Sequence, residues 1–159
     1  MSTWRTERTG WRDSELSERH GHWGFNCPAV DLDFVMMEYN HGKPCALVEY
    51  KHKNARKPDP THATYRALID LADGHHTLMD GAYTHTPLAC FVATYNPSVW
   101  SFSVLPLNET ASKHYGHCAG EMLTEQRFVK SLHLLRKSVL TQADHEAISQ
   151  LNEKLENNS

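Results

Sequence analysis

The chain has 159 residues, of which 40% are hydrophobic and 22% are charged, and its formal net charge is -3. This length and composition are typical of one globular domain with its own core, and they exclude collagen-like, disulfide-framework and fully disordered chains. The net charge excludes a generally basic nucleic-acid coat but allows a local basic patch. Because no apolar run is long enough to cross a membrane and residues 1–10 lack the apolar segment of a secretory signal, we expect a cytoplasmic protein without a membrane partner.

The first elements in chain order are an arm, a helix and a hairpin. Residues 1–12 are polar and predict a loose arm, and Asp13 can cap a short helix that ends near His20. Residues 29–39 alternate between apolar and polar side chains and predict a strand, followed by a turn at residues 40–42. A second strand at residues 45–51 completes a β-hairpin.

The rest of the chain alternates helices with apolar strands. Asp59-Pro60 has the pattern of a helix start, and Gly74 can end that helix. The spacing of Tyr65, Leu68, Ile69 and Ala72 predicts a buried helical face. Strands are predicted at residues 88–95 and 99–105, a loop at 106–123, a helix capped by Thr124 and a last helix from Thr141. This order predicts an α/β fold with helices at the C-terminus.

Three carboxylates and a lysine are predicted to meet on one face of the hairpin. If Tyr39 pairs with Lys43 across a three-residue turn, Asp33 lies opposite Glu49 and Asp31 lies opposite Lys51. An amphipathic hairpin with a solvated polar face would explain the same residues. The apolar neighbours favour a central position instead, where unpaired carboxylates would be costly. Carboxylate oxygens suit Mg²⁺ or Mn²⁺, and such a site beside an ammonium group indicates metal-assisted hydrolysis of a phosphodiester.

Asp33 followed 16 residues later by Glu49-Tyr50-Lys51 resembles the signature of the PD-(D/E)XK nuclease superfamily, in particular its Holliday-junction-resolvase-like and phage-encoded members. The resemblance covers residues 13–105 and implies a restriction-endonuclease-like nuclease core, in which a central mixed sheet with a catalytic β-hairpin is flanked by helices. Residues 1–12 are then an N-terminal arm, and residues 106–159 are an extension of the same domain. The implied activity is Mg²⁺-dependent hydrolysis of DNA by a phage or mobile-element protein in the host cytoplasm.

The resemblance also assigns roles. Asp33 and Glu49 would hold the metal ion, Asp31 would compete with Asp33 as a ligand, and Lys51 would position the attacking water. Glu18 from the first helix is the expected additional carboxylate, with Glu15 as its substitute. The chain departs from the family pattern because no proline directly precedes Asp33.

Basic residues follow the signature at His52, Lys53, Arg56 and Lys57, and we expect them to track DNA phosphates if they are more than a solvated loop. Tyr65 is expected in the core, with a position facing substrate as the alternative, and Trp100 is expected in the core, with a base-stacking role as the alternative. Cleavage of both strands would suit a homodimer.

Two alternative functions remain open. The first is a non-catalytic module on the same fold that binds nucleic acid or protein. The second is a zinc-stabilised interaction protein, because the chain has 12 histidines and two loose clusters: His20, His22 with Cys27, and His114, His117 with Cys118. The four cysteines form no C-x-x-C pair, so we expect reduced thiols.

Overall fold

The computed structural model describes residues 32–38, 43–74 and 87–140, together with the single residues Arg19 and His22. The chain divides into two compact units, residues 1–31 and 32–159, and the fold described here belongs to the second unit. The arm at residues 1–12, the helix predicted from Asp13 and the last helix predicted from Thr141 all lie outside the described residues.

The second unit is built on a mixed sheet of five strands in the order β1-β2-β3-β4-β5. The strands are β1 (Phe34–Glu38), β2 (Lys43–His52), β3 (Ala89–Asn96), β4 (Ser101–Pro106) and β5 (Leu123–Thr124). The helices are α1 (Ala63–Asp73), α2 (Glu109–Tyr115) and α3 (Glu125–Ser138), with a 3₁₀ turn at Gly116–Cys118. The predicted α/β class with a mixed sheet and flanking helices is confirmed.

Strands β2 and β3 pair in parallel, whereas the other neighbouring pairs are antiparallel. Parallel neighbours require a crossover connection, and α1 lies in the segment that joins β2 to β3. The central position of β2 and β3 explains their runs of buried residues, Cys45–Val48 and Ala89–Ala93. The first strand of the hairpin, β1, is instead an edge strand, and its Val35 is 52% exposed.

The two faces of the sheet carry separate hydrophobic cores. On one face, α1 buries Tyr65, Leu68 and Ala72 against odd-numbered β2 residues such as Leu47 and even-numbered β3 residues. The other face packs against α2 and α3, with a core that includes Val48, Phe91, Phe102, Tyr115, Phe128 and Leu135. Glu49 and Lys51 share the parity of Leu47, so they lie on the α1 face of β2.

Helix α1 begins three residues later than predicted from the Asp59-Pro60 pattern. The Asp59 carboxylate accepts hydrogen bonds from both the backbone nitrogen (3.0 Å) and the hydroxyl (2.7 Å) of Thr61. This local turn precedes the helix, and His62 is the N-cap because its Nδ1 accepts from the backbone nitrogen of Thr64. The predicted end is confirmed, with Gly74 in the left-handed region at φ 69°.

The loop predicted at residues 106–123 is wrong, because this segment contains α2, the 3₁₀ turn and the start of β5. Asn108 organises it from a buried position, where its Oδ1 caps α2 at Ala111 and also accepts from the backbone nitrogen of Cys90. Its Nδ2 donates to Asp73 Oδ1 at 2.7 Å and to the carbonyl of Leu88 at 2.8 Å. One side chain therefore ties α1, β3 and α2 together.

The strands predicted at residues 45–51, 88–95 and 99–105 agree with the structure to within about two residues, whereas the first strand, predicted to begin at residue 29, begins at Phe34. Thr124 caps α3 as predicted, accepting from the backbone nitrogen of Arg127. Among the described residues, Cys45, Cys90 and Cys118 are buried and form no disulfide bond. None of the helices in the described ranges has the length and apolarity needed to span a membrane.

Candidate functional site

The two strands of the hairpin have the predicted register at the end away from the turn, but their pairing near the turn differs from the prediction. Near the turn, Glu38 pairs with Lys43, whereas Tyr39 was predicted to do so. A β-bulge at Cys45 inserts one extra residue into β2, and beyond it Phe34 pairs with Val48 as the predicted alignment requires. The bulge compensates for this one-residue shift in pairing, so Asp33 lies next to Glu49 although the predicted pairing of Tyr39 with Lys43 is wrong. The turn predicted at residues 40–42 lies outside the described residues.

Asp33 lies directly before β1 and reaches across to β2. Its Oδ2 accepts a hydrogen bond of 2.9 Å from the backbone nitrogen of Tyr50, the residue between Glu49 and Lys51. The structure therefore brings together three of the predicted site residues, Asp33, Glu49 and Lys51, which we call the carboxylate–lysine cluster.

Glu49 is the buried member of the carboxylate–lysine cluster, with only 7% of its surface exposed. Its Oε1 lies 2.5 Å from Lys51 Nζ, while its buried Oε2 has no hydrogen-bond partner among the described residues. Burial raises the pKa of Glu49, the hydrogen bond from Lys51 opposes that change, and Asp33 raises the pKa further through its negative charge and through a side-chain contact that favours a shared proton. The cluster thus places two carboxylates together with too little positive charge beside them.

Lys51 is the accessible member of the ion pair, with 32% of its side chain exposed. Its hydrogen bond to Glu49 raises the pKa of Lys51, and partial burial offsets only part of this increase. Lys51 therefore remains an ammonium group at neutral pH, able to donate hydrogen bonds and unable to act as a general base.

Tyr65 belongs to the surroundings of this cluster as well as to the core. It is 8% exposed, and burial raises the pKa of its phenol, with smaller electrostatic contributions from Lys51, Glu49 and Asp33. The prediction that Tyr65 is a core residue is confirmed. Tyr65 also lies beside the cluster, because the crossover helix α1 covers the sheet face on which Glu49 and Lys51 lie.

A cleft of about 280 Å³ opens beside Lys51. Two of the predicted basic residues, Arg56 and Lys57, line it together with Asp59, His62 and Tyr65. The other two, His52 and Lys53, lie at the end of β2 and just after it, and Lys53 is exposed. The residues His52, Lys53, Arg56 and Lys57, which we call the basic segment, therefore follow Lys51 directly along the chain.

The described side chains fit a divalent cation in part. The orphaned Oε2 of Glu49 and the adjacent Asp33 carboxylate are hard oxygen ligands of the kind that Mg²⁺ and Mn²⁺ accept. The other carboxylates expected here, Asp31, Glu18 and Glu15, lie outside the described residues. Within the described ranges, no group of three or more His, Cys, Asp or Glu side chains converges in metal-binding geometry.

That last result also bears on zinc. His114, His117 and Cys118, one of the two clusters considered for zinc, do not form such a group. Cys118 is buried in the hydrophobic core, and burial lowers the pKa of His114. The other cluster, with His20 and Cys27, falls outside the part of the chain that the structure describes.

Comparison of the chain with protein-family models, with curated proteins and with solved structures found no match.

Proposed function

We propose that this protein is a divalent-metal-dependent nuclease of the PD-(D/E)XK type that hydrolyses phosphodiester bonds in DNA. The observation that carries this proposal is the buried carboxylate of Glu49, which has one oxygen bonded to Lys51 and the other without a partner beside Asp33. A structural ion pair would need only Glu49 and Lys51, and it would leave no second carboxylate pressed against the first.

A bound cation accounts for this arrangement energetically. A buried carboxylate oxygen without a partner is costly, and an adjacent negative charge increases that cost. A divalent cation held by Asp33 and Glu49 would satisfy the orphaned oxygen and cancel the repulsion. Mg²⁺ in such sites keeps several of its waters and binds substrate phosphates, which suits a site with few protein ligands.

The cation would polarise the scissile phosphate and lower the pKa of a bound water. The protein side chains supply orientation. Lys51 is held in place through Glu49, and its ammonium group can donate hydrogen bonds to an attacking water or to a phosphate oxygen. The Asp33 carboxylate is itself fixed by the backbone nitrogen of Tyr50, so the cluster is organised without a ligand.

The fold and the charge distribution support the same function. An antiparallel hairpin that carries the cluster, then a crossover helix and a parallel strand, is the arrangement that the superfamily resemblance leads one to expect. The exposed Lys53, Arg56 and Lys57 lie where a DNA backbone would leave Lys51. The restriction-endonuclease-like core, the phage or mobile-element origin, the cytoplasmic location and the homodimer are parts of this proposal.

A cleavage assay on metal ligands tests the proposal. Wild type, Asp33→Asn and Glu49→Gln are incubated with plasmid, linear duplex, branched and single-stranded DNA in Mg²⁺, in Mn²⁺ or in chelator. Glu121→Gln, an exposed glutamate before β5, is the matched control. We expect metal-dependent cleavage by wild type and by the control, and none by the other two variants.

Absence of cleavage by wild type on every substrate and with either metal would overturn the nuclease proposal. Metal-independent binding of DNA in that case would favour the non-catalytic module.

A further inference from the structure

Three aromatic side chains form a row at the carboxyl ends of β2 and β3. The rings of His52 and Tyr95 meet edge to face, with centroids 5.5 Å apart. Beyond Tyr95, the Trp100 indole lies nearly parallel to the phenol ring, at 13° and 6.5 Å between centroids. We call His52, Tyr95 and Trp100 the aromatic row.

Trp100 is the outermost member of the row and is poorly explained by packing. It is 51% exposed, although the sequence favoured a place in the core, and it precedes β4 in the turn from β3. Its φ of 45° lies in the left-handed region, which a bulky side chain rarely adopts. A glycine would fit this backbone better, and a polar residue would suit the exposure better. A strained, exposed indole indicates a role outside the core.

The aromatic row adjoins the basic segment, and it lies at the same end of the sheet as the carboxylate–lysine cluster but on the opposite face. His52 directly follows Lys51, so the two side chains leave β2 on opposite faces at the same end of the sheet. The backbone nitrogen of Lys53 donates to the carbonyl of Tyr95 at 2.8 Å, which fixes the basic segment against the row. The exposed Lys53 and the exposed Trp100 indole, with the half-buried His52 and Tyr95 rings beside it, therefore share one end of the sheet.

Aromatic rings interleaved with cations are the surface that unpaired nucleotides require. Bases stack on the rings while Lys and Arg side chains contact the phosphates. In an intact duplex, base faces are covered by neighbouring bases, so they cannot stack on a protruding indole. The edges of the bases in the grooves offer no equivalent contact.

We infer that the aromatic row is a base-stacking surface and that the substrate class is single-stranded DNA, or the unpaired segment of a larger DNA. This inference rests on the proposed nuclease function, because it names the substrate form that the carboxylate–lysine cluster receives. Trp100 binds an unpaired base, Tyr95 supports the indole from behind, and Lys53 with Arg56 holds the adjoining phosphates.

The test is a binding measurement in chelator, so that cleavage plays no part. Fluorescein-labelled oligothymidylate and a labelled duplex are titrated with wild type, Trp100→Ala and Trp100→Phe, using fluorescence anisotropy at fixed salt. Val99→Ala is the matched control, because Val99 is an apolar neighbour that is 69% exposed. Unchanged circular dichroism of each variant shows that it is folded.

We expect Trp100→Ala to weaken single-strand binding about 10-fold, the loss typical of one stacked base. Trp100→Phe should retain most of the affinity, and Val99→Ala should retain all of it. Duplex affinity should be nearly unchanged in all three variants.

Equal losses on single strand and duplex, no loss on either, or no DNA binding by wild type would overturn the inference. The nuclease proposal can fail separately: selective single-strand binding through Trp100, without cleavage by wild type in Mg²⁺ or Mn²⁺, would retain the stacking surface and reject the catalysis.

Discussion

Magnesium should reverse the order of thermal stability of wild type and the Glu49→Gln variant. In chelator at neutral pH, we expect Glu49→Gln to unfold at a higher temperature than wild type, because it removes a buried negative charge next to Asp33. Lys51 loses its partner in this variant, but its side chain is 32% exposed and can turn to solvent. With Mg²⁺ the order should change, because only wild type keeps both metal carboxylates.

The size of the magnesium effect follows from binding linkage. We take a Kd of about 1 mM, as suits a site with few protein ligands. If Mg²⁺ binds only the folded state, 10 mM Mg²⁺ then raises the free energy of unfolding by about 1.4 kcal/mol. For a chain of this length, that gain raises the Tm by about 4 °C. Differential scanning fluorimetry of wild type, Glu49→Gln and the control Glu121→Gln, each with chelator and with Mg²⁺, measures both changes.

The pH dependence of stability tests independently whether the ionised Glu49 side chain destabilises the metal-free protein. The folded state raises the pKa of Glu49 above its ordinary value of 4.5, so it binds the proton more tightly than the unfolded chain does. Metal-free wild type should therefore lose stability as the pH rises from 4.5 through the raised pKa, and Glu49→Gln should lack this loss. An equal Mg²⁺ shift in both proteins, or a Glu49→Gln variant less stable than wild type in chelator at neutral pH, would refute the reasoning.

Three further predictions concern the scaffold and its surfaces. Asn108→Ala removes four hydrogen bonds of a buried side chain and should lower the free energy of unfolding by about 3 kcal/mol in urea titrations, and a loss below about 1 kcal/mol would contradict its organising role. Trp100→Gly should be about 1 kcal/mol more stable than Trp100→Ala, reversing the usual order because φ is positive, and equal stabilities would argue against strain. The double variant Arg56→Ala with Lys57→Ala should reduce the salt dependence of DNA affinity by about two phosphate contacts, and an unchanged slope would remove these residues from the interface.

The sequence was most informative where a pattern is local and periodic. The apolar run of β3 and the helical spacing of Tyr65, Leu68 and Ala72 depend on burial alone, so these elements were predicted near their observed positions. The pairing of Asp33 with Glu49 was also anticipated, since strand parity decides which residues share a face.

The errors arose where side chains redirect the backbone. Asp59 looked like a helix cap, but its carboxylate found nearer donors on Thr61. Helix α2 was missed because its cap, Asn108, is fixed by partners distant in the chain, including Asp73 and Cys90. The bulge at Cys45 has no sequence signal, yet it corrects the hairpin register. Such long-range contacts cannot be read from local composition.

The site shows the same division. Glu49 and Lys51 follow from the spacing in one strand, whereas the proximity of Tyr65 depends on where α1 crosses the sheet. Trp100 was expected in the core, because a Trp in an apolar run usually is. Trp100 is exposed because it lies in the turn before β4 and not in the strand itself, and hydrophobicity alone does not predict where the strand begins.

The central claim is that Lys51 orients a metal-assisted attack on a phosphodiester, and the most direct measurement is the cleavage rate of end-labelled single-stranded DNA by wild type and Lys51→Ala. Lys113→Ala, which removes a lysine whose side chain is 71% exposed on α2, is the control. We predict Mg²⁺-dependent cleavage by wild type and the control, and a loss of at least about 100-fold in Lys51→Ala with its fold intact. Cleavage by Lys51→Ala at the wild-type rate, or wild-type cleavage that persists in chelator, would contradict the account.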